Sequence, residues 1–181
     1  MSIRFGRDPL AAPEALIRRV YAYAAYRLGE GPDAEDVTSE VFERALRYRQ
    51  SYDRSKGEPV AWLLGIASRC VNAALAERAR GEPEIVQPLE SGRFEDDTVR
   101  RLTLAASLRT LRDRDQELIA LRYGADLSAA QIGRILDLKT NAVEVALHRA
   151  LERLRSILES ADENEADAVT AVAAGRSPEA A

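Results

Sequence analysis

LSAAQIGRILDLKTNAVEVALHRALERL, Leu127 to Leu154, decides the reading of this chain, because its apolar positions fit two short helices joined by a tight turn. Ile132, Ile135 and Leu136 recur along one face of the first helix, Leu138 plugs the turn, and Val143, Leu147, Ala150 and Leu151 repeat at helical spacing along the second. Ser128 is placed to cap the first helix, with Gln131 completing a capping box. Gly133 leaves room for the second helix to cross closely, and Asp137 occupies a turn position that favours the left-handed backbone. Two helices sharing a small core in this way form a helix-turn-helix, a unit that reads DNA when its second helix enters the major groove. The same spacing also suits an ordinary helical hairpin packed for stability alone.

Composition narrows the rest. The 181 residues are 46% hydrophobic but only 6% aromatic, so the apolar content is mostly Ala, Leu, Val and Ile, which suits helix packing on helix. No run of about 18 apolar residues is present and MSIRFGRDPL lacks the apolar stretch of a signal peptide, so a soluble, cytoplasmic protein without membrane insertion is expected. Cys70 and His148 are the sole cysteine and histidine, which excludes an internal disulfide and a cysteine metal cluster. Both lie within apolar helical patterns and neither is flanked by a catalytic motif, so they read as a buried thiol and a surface imidazole rather than a nucleophilic pair. The glycines are scattered singly, with no phosphate-cradling loop. We expect no catalytic residues, no metal and no cofactor.

The net charge of −4 is unevenly spread. Glu82 to Asp97 and Glu159 to Ala181 each hold six acids and one arginine, a charge of −5 apiece, so the remaining residues carry +6. Basic modules can meet phosphate, and acidic segments beside them weaken nonspecific DNA binding. Helical patterning places a first helix over Glu14 to Leu28, with Leu16, Ile17, Val20, Tyr21, Ala24 and Leu28 recurring along it. A second, capped by Asp33, has an inward stripe of Val37, Val41, Phe42, Ala45 and Leu46, and a third runs from Pro59 to about Arg80. Gly81 to Asp97 reads as a flexible acidic linker. Helices are then expected over Thr98 to Leu111 and Arg114 to Tyr123, followed by the helix-turn-helix, whose last helix reaches Leu158, and by an acidic, disordered tail. The expected fold is all-α: two small helical domains, residues 1–80 and 98–158, joined by the linker 81–97 and trailed by 159–181, with the helix-turn-helix in the second.

DAEDVTSEVFERAL, Asp33 to Leu46, resembles the corresponding segment of the extracytoplasmic-function sigma factors of bacterial RNA polymerase. WLLGIASRC, Trp62 to Cys70, resembles the family's next element, and the stretch Leu108 to Arg155 resembles its C-terminal module. The resemblance implies a region 2-like domain that binds core polymerase and the minus-ten promoter element, a region 4-like domain that binds the minus-thirty-five element, and no catalysis. It also implies core RNA polymerase and promoter DNA as partners, with an anti-sigma factor as a further candidate. The second helix would dock on the polymerase clamp through Asp36, Glu40 and Glu43, with Val37 and Val41 positioning it; without the resemblance those acids read as a solvated face. Trp62, Arg69, Asn72, Arg78 and Arg80 would serve the unstacked minus-ten strand, although Trp62 also falls on the apolar stripe with Ile66. Lys139, Asn141, Glu144, His148, Arg149 and Arg153 would serve the minus-thirty-five duplex.

Two departures from the family pattern bear on DNA reading. Related proteins usually carry Asn at the position of Arg69 and Asp at that of Ala73, and V-K-S-R-L-H-R-A where this chain has V-E-V-A-L-H-R-A, Val143 to Ala150. Glu144 can still accept from a cytosine amine. Two rival readings therefore accompany the sigma factor: a clamp-binding protein that titrates polymerase without opening promoters, and a free-standing helix-turn-helix regulator, for which no clear dimerisation helix is present.

Overall fold

In the computed structural model, the backbone is described over residues 8–80 and 96–173 and the side chains over 8–80 and 102–161. Among the described residues seven α-helices follow one another: α1 Pro13–Leu28, α2 Pro32–Arg47, α3 Pro59–Arg78, α4 Asp96–Thr110, α5 Asp113–Ile119, α6 Ala129–Leu136 and α7 Thr140–Ala173. No strand occurs among the described residues, in line with the all-α expectation. Residues 81–95, most of the expected linker, lie outside the description, as do 174–181.

Proline opens each of the first three helices, where its missing N–H leaves no intrahelical bond unmade. For α2 this changes the expected cap: Gly31 precedes the helix, and Asp33, now inside the first turn, forms an ion pair with Arg78 of α3 instead. The three helices close around Val20, Tyr23, Ala24, Val41, Leu63, Leu64 and Val71, all fully buried. Each large apolar side chain so enclosed contributes about 1.5–3 kcal/mol. The inward stripe of α2 is Ala34, Val37, Thr38, Val41 and Ala45, whereas Leu46, expected inside, is 59% exposed. By length and composition α3 could cross a membrane, but here its apolar residues face α1 and α2.

The helix-turn-helix forms as its residues predict. Gln131 N–H donates to Ser128 Oγ at 3.3 Å and the Ser128 N–H donates to Gln131 Oε1 at 2.8 Å, the reciprocal capping box. Asp137 ends α6 in the left-handed conformation, φ 53° and ψ 49°. Gly133 is needed for a different reason from the one expected. A Cβ there would lie 2.5 Å from the Leu138 carbonyl oxygen, so the close approach is by the turn and not by the crossing helix. Gly133→Ala should destabilise the chain by about 1–2 kcal/mol in urea unfolding, the clash outweighing the gain in helix propensity. Unchanged stability would mean that the turn relaxes freely.

Helix α7 runs well past the expected end at Leu158, so residues 159–173 of the expected tail are helical. Extending an established helix fixes few new dihedrals per hydrogen bond, and Ala and Glu are good helix formers, which favours continuation of the helix. A satellite core of Leu111, Ile119, Ala150 and Leu154 joins α5 to α7.

Apolar patterning within each module does not announce that the two modules touch, yet they share one core. Leu118, Leu121, Leu127, Ile132 and Val143 belong to the same buried cluster as the α1–α3 interior. Helix α1 packs on α5 and on the single π-helical turn Ala120–Gly124 that follows it, and α6 packs on α3.

Candidate nucleic-acid and partner interfaces

Helix α2 presents an acidic face alternating with arginines one turn on. Glu40 pairs with Arg44 at 2.5 Å and Glu43 with Arg47 at 2.6 Å, while Asp36 and Glu43 are exposed and Glu40 is half-buried. Pairs of this exposed kind contribute only tenths of a kcal/mol, so the carboxylates remain available to a basic partner. Val37 and Val41 are 6% and 0% exposed. They hold α2 on the core and can touch no partner directly.

Trp62, Gly65, Arg69 and Asn72 recur along one side of α3 at intervals of three and four residues. Trp62 is half-buried and packs against the core, with its ring 5.6 Å from that of Tyr52 at a tilt of 55°. Arg69 and Asn72 are exposed, and a Cβ at Gly65 would meet nothing within 4 Å, leaving an open floor between them and the indole. The last two expected residues are otherwise engaged. Arg78 donates to the Leu28 carbonyl at 3.0 Å and pairs with Asp33, tying the end of α3 to the α1–α2 turn. Arg80 donates to the Ala76 carbonyl at 3.0 Å but is exposed. Tyr52, which brackets the indole, went unrecognised in the sequence because it lies in a polar turn outside any periodic pattern.

On the second module Lys139, just before α7, and Asn141, Glu144, His148 and Arg149 over its first turns are all exposed, joined by Val145 at 50%. His148 Nε2 lies 3.3 Å from Glu152. Arg153 is placed elsewhere. Its Nε and Nη2 donate to both oxygens of Asp115 at 2.9 Å, and the Asp115 side chain is only 6% exposed, so this arginine joins α7 to α5. Arg112 and Arg149 border the same shallow groove between the α4–α5 turn and α7.

Between the modules lies a buried polar cluster. Glu117 of α5 accepts from the Tyr23 hydroxyl, whose oxygen is 2.9 and 2.7 Å from its two carboxylate oxygens, and from Ser68 Oγ at 2.8 Å. Arg27, its side chain 1% exposed, pairs with Asp113 at 3.2 Å and donates to Gln116 Oε1 at 3.2 Å. Its Nε is 3.2 Å from Glu117 Oε2 but out of line for a hydrogen bond. Burial first, and then the Glu117 charge, push the Tyr23 phenol far above its usual range, so it stays a donor at any physiological pH. A signal for this cluster was present: Arg27 continues the Val20, Tyr23, Ala24 stripe, and Glu117 directly precedes the buried pair Leu118 and Ile119.

Cys70 is buried in the first core and His148 exposed on α7, so the structure does not bring them together. Burial, with Glu40 nearby, pushes the Cys70 thiol up. A thiol reagent should therefore label Cys70 slowly in the native chain and rapidly in urea; fast native labelling would show that this core opens readily. Among the described residues no three His, Cys, Asp or Glu side chains converge to hold a metal ion.

Comparison with known proteins places these surfaces in a family. Sigma-70 region 2 matches residues 14–81, and sigma-70 region 4 matches residues 107–156. The chain belongs to the extracytoplasmic-function sigma factor family. It is 33% identical over 147 residues to the sigma factor BldN of Streptomyces coelicolor, an alignment covering 77% of this chain and 56% of BldN. With SigK of Mycobacterium ulcerans it shares 28% over 151 residues, covering 78% of this chain and 81% of SigK. The chain thus spans little more than half of BldN. In fold it resembles the sigma factor RpoE of Bartonella quintana, solved in complex with the anti-sigma factor NepR, with a TM-score of 0.62, 18% identity and coverage of 80% of this chain and 92% of RpoE. CnrH, solved with the cytosolic domain of CnrY, gives a TM-score of 0.53 at 22% identity, with 82% of each chain covered. Region 2 of the family corresponds here to α1–α3, and region 4 to the end of α4 through the middle of α7.

Proposed function

We propose that this protein is an alternative sigma factor that binds core RNA polymerase, directs it to a particular set of promoters and assists DNA opening, with no catalysis or cofactor of its own. Regions 2 and 4 both occur, in the family's order, and each keeps an exposed polar surface where the family meets its partners; that conjunction carries the reading. Asp36, Glu40 and Glu43 of α2 face the polymerase. Trp62, Arg69 and Asn72 of α3 form the minus-ten surface, where an aromatic edge and positive charge suit an unstacked strand. Lys139, just before α7, and Asn141, Glu144, His148 and Arg149 of α7 form the minus-thirty-five surface. The protein acts in the cytoplasm, where polymerase and promoters are. An anti-sigma factor is a natural further partner, since similar folds have been solved with such proteins.

The deciding experiment is transcription by purified core polymerase over fragmented genomic DNA, with and without this protein, mapping start sites. Discrete new starts are expected. Polymerase binding without new starts would favour the titrating protein, a second reading that draws on Glu144 and the apolar Val145 standing exposed on the recognition helix. Reversing charge on α2 with Asp36→Lys and Glu40→Lys should weaken core binding by about tenfold, equivalent to about 1.4 kcal/mol, with helical content unchanged. Parental affinity in the double variant would remove α2 from the docking surface.

A further inference from the structure

Valine is poorly suited to an exposed helical position, because branching at Cβ lowers helix propensity and no core is gained in return. Helix α7 nevertheless carries Val145 at 50% exposure, outside both hydrophobic cores. With 3.6 residues per turn, it lies about 160° around the helix from the mean direction of Val143, Ala150 and Leu154, the residues that α7 turns inward. Val145 therefore stands on the crest of the helix. Asn141 one turn before it and His148 one turn after it share that crest, and Glu144 flanks it, all three exposed. His148 faces Glu152 at 3.3 Å. A single apolar side chain ringed by polar ones is too small a surface to seat a protein partner, whose contact needs a contiguous apolar centre.

A base pair is a different kind of partner. The one apolar group of any size that base pairs present in the major groove is the C5 methyl of thymine. A side chain with neither donor nor acceptor gains nothing from the nitrogen and oxygen edges, and pressed against them it would remove their water without replacing it. We propose that Val145 is a specificity-determining residue that reads the C5 methyl of one thymine in the minus-thirty-five element. The inference rests on the sigma-factor reading, which puts the crest of α7 in the major groove, and deepens it by naming a base. Branching now becomes useful, since a valine in a helix holds one χ1 rotamer and its two methyls keep a fixed direction. Glu144 beside it offers acceptors only, which suits a cytosine amine and repels the acceptor edge of guanine. Asn141, Glu144 and Val145 include no cation, and Arg149 lies to one side against the α4–α5 turn, so phosphate attraction falls to the flanks and the crest is left to the bases.

The test uses holoenzyme assembled from core polymerase and the full-length chain. Its probes are duplexes of a promoter recovered by start-site mapping, with each thymine of the minus-thirty-five element replaced singly by deoxyuridine, which pairs as thymine does and lacks only the methyl. One of these duplexes should bind about fourfold more weakly than the unmodified promoter, the effect of losing one buried methyl-sized group. Val145→Ser should bind that duplex and the unmodified promoter equally, with far-UV circular dichroism and core affinity unchanged, because Val145 belongs to neither core. At the same position a cytosine pair should bind the parent holoenzyme weakly, and 5-methylcytosine should recover binding by a similar factor. An element without thymine, equal binding at every deoxyuridine position, or a deoxyuridine loss that persists in Val145→Ser overturns the methyl contact and leaves the sigma-factor reading standing. No new starts, with no preference of the holoenzyme for any fragment, overturns both.

Discussion

Replacing Arg153 by alanine is expected to cost this chain about 2–3 kcal/mol of stability, a far larger effect than the loss of a surface cation would give. The reason is the partner left behind. Asp115 is almost fully enclosed, and both of its oxygens are held by Arg153 in the paired geometry that only a guanidinium provides. The arginine is itself 39% exposed, which sets the expectation below the upper range for wholly buried pairs. The two halves of the bridge should therefore respond unequally. Asp115→Asn, which leaves a partly hydrated cation and keeps a polar acceptor, should cost about 1 kcal/mol, and Arg153→Lys should recover only part of the loss. Urea unfolding followed by circular dichroism measures all three. Parental stability in Arg153→Ala, together with polymerase–promoter binding that weakens evenly across sequences and loses salt dependence, would show instead that Arg153 leaves Asp115 to hold phosphate.

The second large effect concerns promoter reading by the polymerase-bound protein. Asn141 stands exposed in the first turn of α7, where a side-chain amide can address an adenine edge. Asn141→Ala should relax preference at one or two base pairs of the minus-thirty-five element, by about 1–3 kcal/mol, and leave other positions unaffected. Arg149, also exposed and beside Arg112 at the groove against the α4–α5 turn, is expected to anchor phosphate instead. Arg149→Ala should lower affinity by a similar factor for every promoter variant and reduce the slope of binding against salt. Holoenzyme affinities across single-base promoter variants, at several salt concentrations, separate the two behaviours. If neither substitution changes affinity or preference, α7 does not read DNA and the titrating alternative becomes the better account.

Local chemistry was the most legible part of the fold. Ser128 and Gln131 form their capping box, and Asp137 takes the left-handed turn, because each depends only on residues a few positions away. Most of the α1 stripe was legible for the same reason, since helical period sets it, although Ile17, on the expected stripe, is 43% exposed and Tyr23, outside it, is fully buried. Errors arose wherever a side chain had a choice of distant partner. Asp33 forgoes capping for Arg78, and Arg153 turns to Asp115. Spacing records which face a residue occupies; it does not record which opposite charge a neighbouring helix brings to that face. The contact between modules was the least legible feature, because its decisive groups, Arg27, Ser68 and Glu117, are polar residues that a search for apolar periodicity passes over.

The apolar seam between the modules bears on the abundance of the protein. When the modules part, Leu118, Leu121, Leu127 and Ile132 lose the α1–α3 surface that now covers them. Exposed apolar surface of that kind is what proteases and chaperones recognise, so a chain whose modules have parted is open to removal. Each half of the molecule thus shelters the other during the interval between synthesis and use. A variant whose modules part more readily is therefore expected in fewer copies than the parent.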